Sequence, residues 1–259
     1  MIDKSSTSIF ISYFKYRIEF IIPASNRKWE KQIISIFQKN FGGYIDSITS
    51  QIKSDVRVKF VAKGDEVVLG SNIFNYVVPT MGSSLDRKKF GQLLKEIIIV
   101  TMLSINKKKS SVCLHASSVS YGKKAVLFLG NSGSGKSTIC QLLTPQFAQL
   151  TDDATFLINL PICQTSPLPI FEKKVPLRLR TSSLYTVGAL CFLKKSTTNH
   201  IIKLEKDMDI FNQLINSMFH TGSISEISAL QDLLKSSVPI YRIEFRKDKT
   251  IGRLLEQLL

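Results

Sequence analysis

Gly130-Asn131-Ser132-Gly133-Ser134-Gly135-Lys136-Ser137 is the stretch on which the reading of this chain turns. It matches the pattern G-x-x-x-x-G-K-[ST] in full. The apolar run Ala125-Val126-Leu127-Phe128-Leu129 before it reads as a strand, and residues 137–143 after it read as a short helix. Glycines let the backbone turn tightly, so that successive N–H groups point inward as an anion nest. The helix N-terminus adds partial positive charge at the same place. Lys136 can reach β- and γ-phosphates, and the Ser137 hydroxyl can ligate Mg²⁺. Residues Gly130 to Ser137, with Thr138 beside them, are therefore expected to bind a nucleoside triphosphate. The plain alternative is a Gly/Ser-rich turn.

Downstream, Pro145 stops the helix, 147–150 reads as the next strand, and Thr151-Asp152-Asp153 follows. A strand–helix–strand unit returns its second strand parallel to the first, so both end on one edge of the sheet. That brings Asp152 and Asp153 towards the glycine-rich loop. One carboxylate could hold Mg²⁺, directly or through water, while the other accepts a proton from an attacking hydroxyl. A solvated turn with a capping Asp is the bland reading.

Upstream, 112–120 and 124–129 read as strands joined through Tyr121-Gly122-Lys123-Lys124. If Ser120 faces Ala125, the register carries His115 opposite Gly130. An imidazole there could orient a carboxylate, shuttle a proton or contact phosphate. A histidine in an apolar strand can equally be structural.

The order Leu114-His115-Ala116-Ser117-Ser118-Val119, glycine-rich loop, Thr151-Asp152-Asp153 resembles the catalytic core of the HPr kinase/phosphorylase family. Within that family it is most similar to the HPr-kinase-like proteins that accompany peptide-modification clusters. The resemblance covers residues 112–160 and thins towards residue 259. It implies an α/β fold with a P-loop core related to HPr kinase and phosphoenolpyruvate carboxykinase. It also implies ATP and Mg²⁺, catalytic roles for Asp152, His115 and Lys136, and metal contact through Ser137 and Asp153. The two aspartates could exchange roles. Ala116 stands where members acting on the HPr carrier have Gly, and their carrier-engaging downstream loop is missing from the pattern. Some relatives are oligomeric, so a homo-oligomer is compatible with the resemblance. Further positive charge on the transferred group would come from Arg178 and Arg180, whose alternate spacing puts them on one face of a strand.

The expected activity is transfer of a γ-phosphoryl group from ATP to a hydroxyl, a serine of a peptide or protein. The rivals are a nucleotide-binding regulatory or scaffold protein with little turnover, and a small-molecule kinase.

The rest of the 259 residues bound this reading. The chain has 35 Lys+Arg against 20 Asp+Glu, a formal charge of +15, and is 44% apolar, which excludes wholesale disorder. Residues 1–110 carry 18 Lys/Arg and 9 Asp/Glu, and residues 111–259 carry 17 and 11, so the charge is spread and does not predict nucleic-acid binding. Arg87-Lys88-Lys89 and Lys107-Lys108-Lys109 are local clusters around one expected helix. The longest apolar run, 97–105, is interrupted by Thr101 and Ser104, too short to span a bilayer. No membrane association is expected, and the start of the chain has no signal-peptide pattern, so a cytoplasmic location is expected. Cys113, Cys140, Cys163 and Cys191 lack close spacing and read as buried free thiols, not metal ligands.

A small α+β domain over 1–110 is expected to precede the P-loop domain over 111–259. In the first, strands are expected at 8–22, 56–60, 67–69 and 73–78, and helices at 29–41 and after Ser84 as N-cap. In the second, helices are expected around 210–219 and from 224, with Ser223 and Glu226 forming a capping box. A strand at 238–245 and a terminal helix capped by Asp248 complete it.

Overall fold

The computed structural model describes residues 7–13, 16–22, 27–41, 45, 54–61, 73–78, 80–81, 84–105, 110–158, 162–168, 183–219 and 223–258. The chain is mixed α/β and separates into two compact units, one running to Thr101 and the other starting at Met102.

In the first unit, β1 (Thr7–Tyr13) and β2 (Tyr16–Ile22) pair antiparallel, from Thr7↔Ile22 to Tyr13↔Tyr16. The expected single strand over 8–22 is thus a hairpin. Folding back puts Ile9 opposite Phe20 and Ile11 opposite Ile18, so the alternating apolar residues of both halves share one buried face. Helix α1 (Arg27–Phe41) lays Ile33 and Phe37 against that face, with the Phe20 and Phe37 rings 4.8 Å apart. The chain then returns as β3 (Val56–Val61), parallel to β2, and β4 (Ile73–Val77), parallel to β3. The expected strand over 67–69 lies outside the described residues.

Two short strands, β5 (Thr80–Met81) and β6 (Ser84–Leu85), precede helix α2 (Arg87–Ile105). The α2 cap is Asp86, not Ser84: its carboxylate accepts the Lys89 N–H, while Ser84 is held in β6. Phe90 begins the buried face of α2 and meets Phe60, ring centroids 5.2 Å apart. The cluster Lys107–Lys109 lies outside the described residues.

Among the described residues, the second unit is built on a nine-stranded sheet. In chain order its elements are β7 (Val112–Leu114), β8 (Ser117–Tyr121), β9 (Lys124–Leu129), α3 (Lys136–Leu143), β10 (Ala148–Thr151), β11 (Thr155–Ile158) and β12 (Gln164–Ser166). There follow β13 (Tyr185–Lys195), β14 (His200–Lys203), α4 (Met208–Asn216), α5 (Ile224–Lys235), β15 (Ile240–Phe245) and α6 (Ile251–Glu256). Strand order is β10-β8-β9-β13-β12-β11-β7, with β15 beside β13 and β14 beyond it. β8 and β9 form the expected hairpin, with Ser120 facing Ala125. β9, β13 and β15 run parallel.

β13 was not among the expected elements, yet it is the central strand. Its residues alternate between two cores, Leu190 and Phe192 on one face, Ala189, Cys191 and Leu193 on the other. β9 does the same, Leu127 and Leu129 against Val126 and Phe128. Such burial on both faces is what covered parallel strands require. Helices α4 and α5 contribute to the first core, and α3 and α6 to the second.

The capping box of α5 forms as expected. α6 is capped at Thr250, not Asp248, which instead accepts the Thr250 N–H from two residues upstream. All four cysteines are buried and none is in a disulfide, and burial pushes the Cys163 thiol up to about 12. Among the described residues, no helix is long and apolar enough to cross a membrane.

Candidate functional site

The turn after β9 is shaped by three glycines with positive φ: Gly130 (+143°), Gly133 (+80°) and Gly135 (+104°). A side chain at 130 would collide with Ser134, whose Oγ would stand 2.7 Å from the added Cβ. One at 135 would lie 2.7 Å from the Phe245 ring, which packs beneath the turn from the end of β15. Glycine is therefore required at both positions by backbone conformation and by close approach. Gly135 is the N-cap of α3, whose first residue is Lys136.

Lys136 is 8% exposed and donates from Nζ to the carbonyl oxygens of Gly130, at 2.5 Å, and Asn131, at 3.3 Å. Burial pushes its ammonium below the ordinary lysine value, while the carboxylates of Asp153 and then Asp152 pull it back up.

The aspartates arrive as expected in direction but not in neighbourhood. β10 runs in the same sense as β9, with β8 between them and antiparallel to both. The ladders break at one level: β8 pairs with β10 and β7 with β11, so residues 115–116 and 152–154 form two adjacent corners. His115 therefore does not lie in the β8–β9 ladder opposite Gly130, because that ladder ends at Ser117↔Phe128. Its backbone N–H goes instead to the Ser217 carbonyl, and its ring meets the edge of Phe219 at 5.6 Å. This frees the imidazole to turn towards the other corner, where Nδ1 stands 2.9 Å from Asp153 Oδ1.

A ladder of buried hydroxyls joins the corners. Ser118 Oγ meets Thr151 Oγ1 at 2.8 Å, Thr151 meets Thr155 Oγ1 at 2.7 Å, and Thr155 donates to the Ala116 carbonyl at 2.9 Å. Ser117 Oγ donates to the Asp152 carbonyl, and Gln149 Nε2 donates to Asp152 Oδ1 at 3.3 Å. These bonds hold the acid-bearing corner rigidly against the histidine-bearing one.

One cleft of about 680 Å³ gathers these groups. His115, Asp152 and Asp153 line one side; Ser132, Gly133, Gly135, Lys136, Ser137 and Thr138 line its middle. Of the other residues expected in the site, Gly130, Asn131 and Ser134 shape the turn without lining the cleft. Arg178 and Arg180 lie outside the described residues. The remaining wall comes from strand ends that sequence reasoning missed: Lys195 and Ser196 at the end of β13, and Phe245, Arg246 and Lys247 at the end of β15. The available signal was the apolar run 187–193, ending in Lys194-Lys195.

Chemically, the middle offers backbone donors, a helix N-terminus and a lysine to an anion. A hydroxyl and a carboxylate are oxygen donors of the kind a hard divalent cation takes. Two carboxylates and an imidazole can accept or relay a proton.

A family model described as "ScmC: SynChlorMet cassette protein ScmC" matches residues 85–223, just over half of the chain. The match contains His115, the glycine-rich turn, both aspartates and Lys195, and stops short of Phe245–Lys247. No curated protein matches the chain.

Proposed function

For a chain that belongs to the SynChlorMet cassette protein ScmC family, we propose an ATP- and Mg²⁺-dependent kinase that transfers the γ-phosphoryl group to a hydroxyl, a serine of a peptide or protein. One observation carries the reading: His115, Lys136, Ser137, Asp152 and Asp153 line a single cleft. A plain Gly/Ser surface turn would have no reason to face two carboxylates and an imidazole. The same convergence supports the resemblance to the HPr kinase/phosphorylase core and a P-loop reading of residues 130–137.

The residues fit the nucleotide and the ion. Gly130 and Gly135 let the turn keep a shape in which an added Cβ would strike Ser134 or the Phe245 ring, and Ser137 and Asp153 supply hard oxygen donors to Mg²⁺. Bound there, Mg²⁺ would neutralise phosphate charge as the bond to the leaving diphosphate breaks. The chain does the rest. Lys136 leaves the carbonyls of Gly130 and Asn131 for phosphate oxygens, and N–H groups of the turn hold the triphosphate. Asp152, steadied by Gln149, takes the proton of the acceptor hydroxyl as its oxygen bonds to phosphorus. His115 orients Asp153 through Nδ1.

Incubation with γ-labelled ATP, Mg²⁺ and serine-containing peptides encoded beside this gene tests the proposal. The description as a cassette protein makes those neighbours the first acceptors to try. Label on a peptide serine, absent with Asp152→Asn, is expected. Nucleotide binding without label on any peptide or small hydroxyl compound would replace the kinase reading with a nucleotide-binding regulatory one.

A further inference from the structure

The proposed chemistry uses only half of the cleft. From β10 through β8, β9 and β13 to β15 the sheet edge runs four strand steps, about 19 Å at ~4.8 Å each. Asp152, Asp153 and His115 occupy one end, and the glycine-rich turn lies at the centre. Lys195, Ser196, Arg246 and Lys247 occupy the other end. If the terminal phosphoryl faces the acids, the rest of the nucleotide must extend the other way.

That far side rises above the turn. Leu129, the last residue of β9, pairs with Phe192, whereas β13 and β15 continue together to Lys195↔Phe245. Three further residues carry this wall about 10 Å beyond the level at which β9 ends. The wall is also braced. Ser196 N–H donates to the Phe245 carbonyl, and Arg246 N–H to Asn199 Oδ1. Asn199 Nδ2 and Thr250 bind Asp248 Oδ1, and the Arg246 guanidinium pairs with Asp248 Oδ2.

The bracing distinguishes the cations. Arg246 already has a carboxylate partner, so its charge is partly compensated, and the Asp248 pair aims its planar, exposed guanidinium along the wall. The side chains of Lys195 and Lys247 have no ion pair or hydrogen bond among the described residues. A guanidinium already paired with a carboxylate is a poorer grip for phosphate than a lysine without an ion pair, and its flat face remains open to a flat ring.

We propose that the ends of β13 and β15 form the nucleoside subsite of the cleft, with Arg246 stacking on the base and Asn199 and Asp248 positioning it. The inference rests on the nucleotide reading given above. Lys195 and Lys247 flank the path from phosphates to ribose. An acidic stretch of the acceptor peptide is the competing occupant, disfavoured because the wall's arginine already has a carboxylate partner.

Calorimetry with Mg·ATP and with Mg·tripolyphosphate, which has the phosphates but no nucleoside, separates these cases. The wild-type chain should bind Mg·ATP more tightly than Mg·tripolyphosphate. In Arg246→Ala that preference should fall about tenfold, within the range of a base stack. Arg246→Lys, which keeps the charge and loses the plane, should not restore it. Thermal melts of both variants check that the fold persists, and Asn199→Ala, which leaves Arg246 in place but loosened, should give a smaller loss of the same preference. Equal weakening towards both ligands, or full rescue by Lys, would overturn the stacking role. So would an effect on acceptor peptide alone. Failure of both ligands to bind wild type would instead sink the nucleotide reading beneath it.

Discussion

The two units use their charges for different ends. In the first, Glu19 is 7% exposed and its carboxylate is taken up by Ser8, Ser54 and Arg57, with Arg57 Nε at 2.9 Å. Every partner there belongs to the chain. In the second, Lys136 rests on two backbone carbonyls, and Lys195 and Lys247 face a cleft with no ion-pair partner among the described residues. A charge satisfied internally is part of the fold, because removing one member strands the others. A charge lining a cavity is arranged for something the chain does not supply.

This contrast can be broken in graded ways. Asp152→Asn should have the largest effect: phosphoryl transfer falls about 10²–10⁴-fold, as loss of a general base does, while the melting temperature stays within a degree or two of wild type. A phosphotransfer time course paired with a thermal melt reads both. If turnover were unchanged, Asp152 would not be the base, and Asp153 would take the role.

Gly135→Ala comes next and should affect both properties. The residue would be forced to φ +104° with its Cβ 2.7 Å from the Phe245 ring. A cost of about 1–3 kcal/mol is expected from the strain alone, together with weaker Mg·ATP binding as the turn shifts. Denaturant melts and titrations on one preparation test this; normal stability with normal binding would show that the turn does not need glycine.

Glu19→Ala should do the reverse of Asp152→Asn. Ser8, Ser54 and Arg57 would lose their shared acceptor, at about 1–3 kcal/mol, and nucleotide affinity should not change. A loss of binding as large as the loss of stability would erase the distinction drawn between the two units.

The smallest effect concerns pH. The Thr250 hydroxyl first, then Arg246 and Asn199, hold the partly exposed Asp248 carboxyl down to about 2, against an ordinary 3.8. A depressed carboxyl contributes stability that is present above 3.8 and lost as pH falls through about 2. Asp248→Asn should therefore be slightly less stable than wild type at neutral pH, with the two chains converging as pH falls through about 2. Identical melts of the two chains at neutral pH would show that the brace contributes nothing.

Local pattern carried much of this architecture. The hairpin register at Ser120↔Ala125, the capping box at Ser223 and Glu226, and the strand–turn–helix around Lys136 all depend on neighbours within a few residues, and each is legible in the sequence. Long-range pairing was not. Nothing near His115 announces that its strand breaks there, since the break is imposed by β11 taking β7 as partner while β10 takes β8. β13 escaped notice because a strand buried on both faces shows no alternation. With it went Lys195, and Arg246 and Lys247 lie 51 and 52 residues further along a chain that returns only by parallel pairing. The acidic wall of the cleft lies close to the glycine-rich turn in sequence, and the basic wall does not.

The most direct test of the whole account is an isothermal titration of Mg·ATP into the full chain and into Lys136→Ala. We predict saturable one-to-one binding to wild type and at least a hundredfold loss in the variant, with the same melting temperature for both chains in the absence of nucleotide. Equal heats from both, or none from wild type at millimolar Mg·ATP, would contradict it.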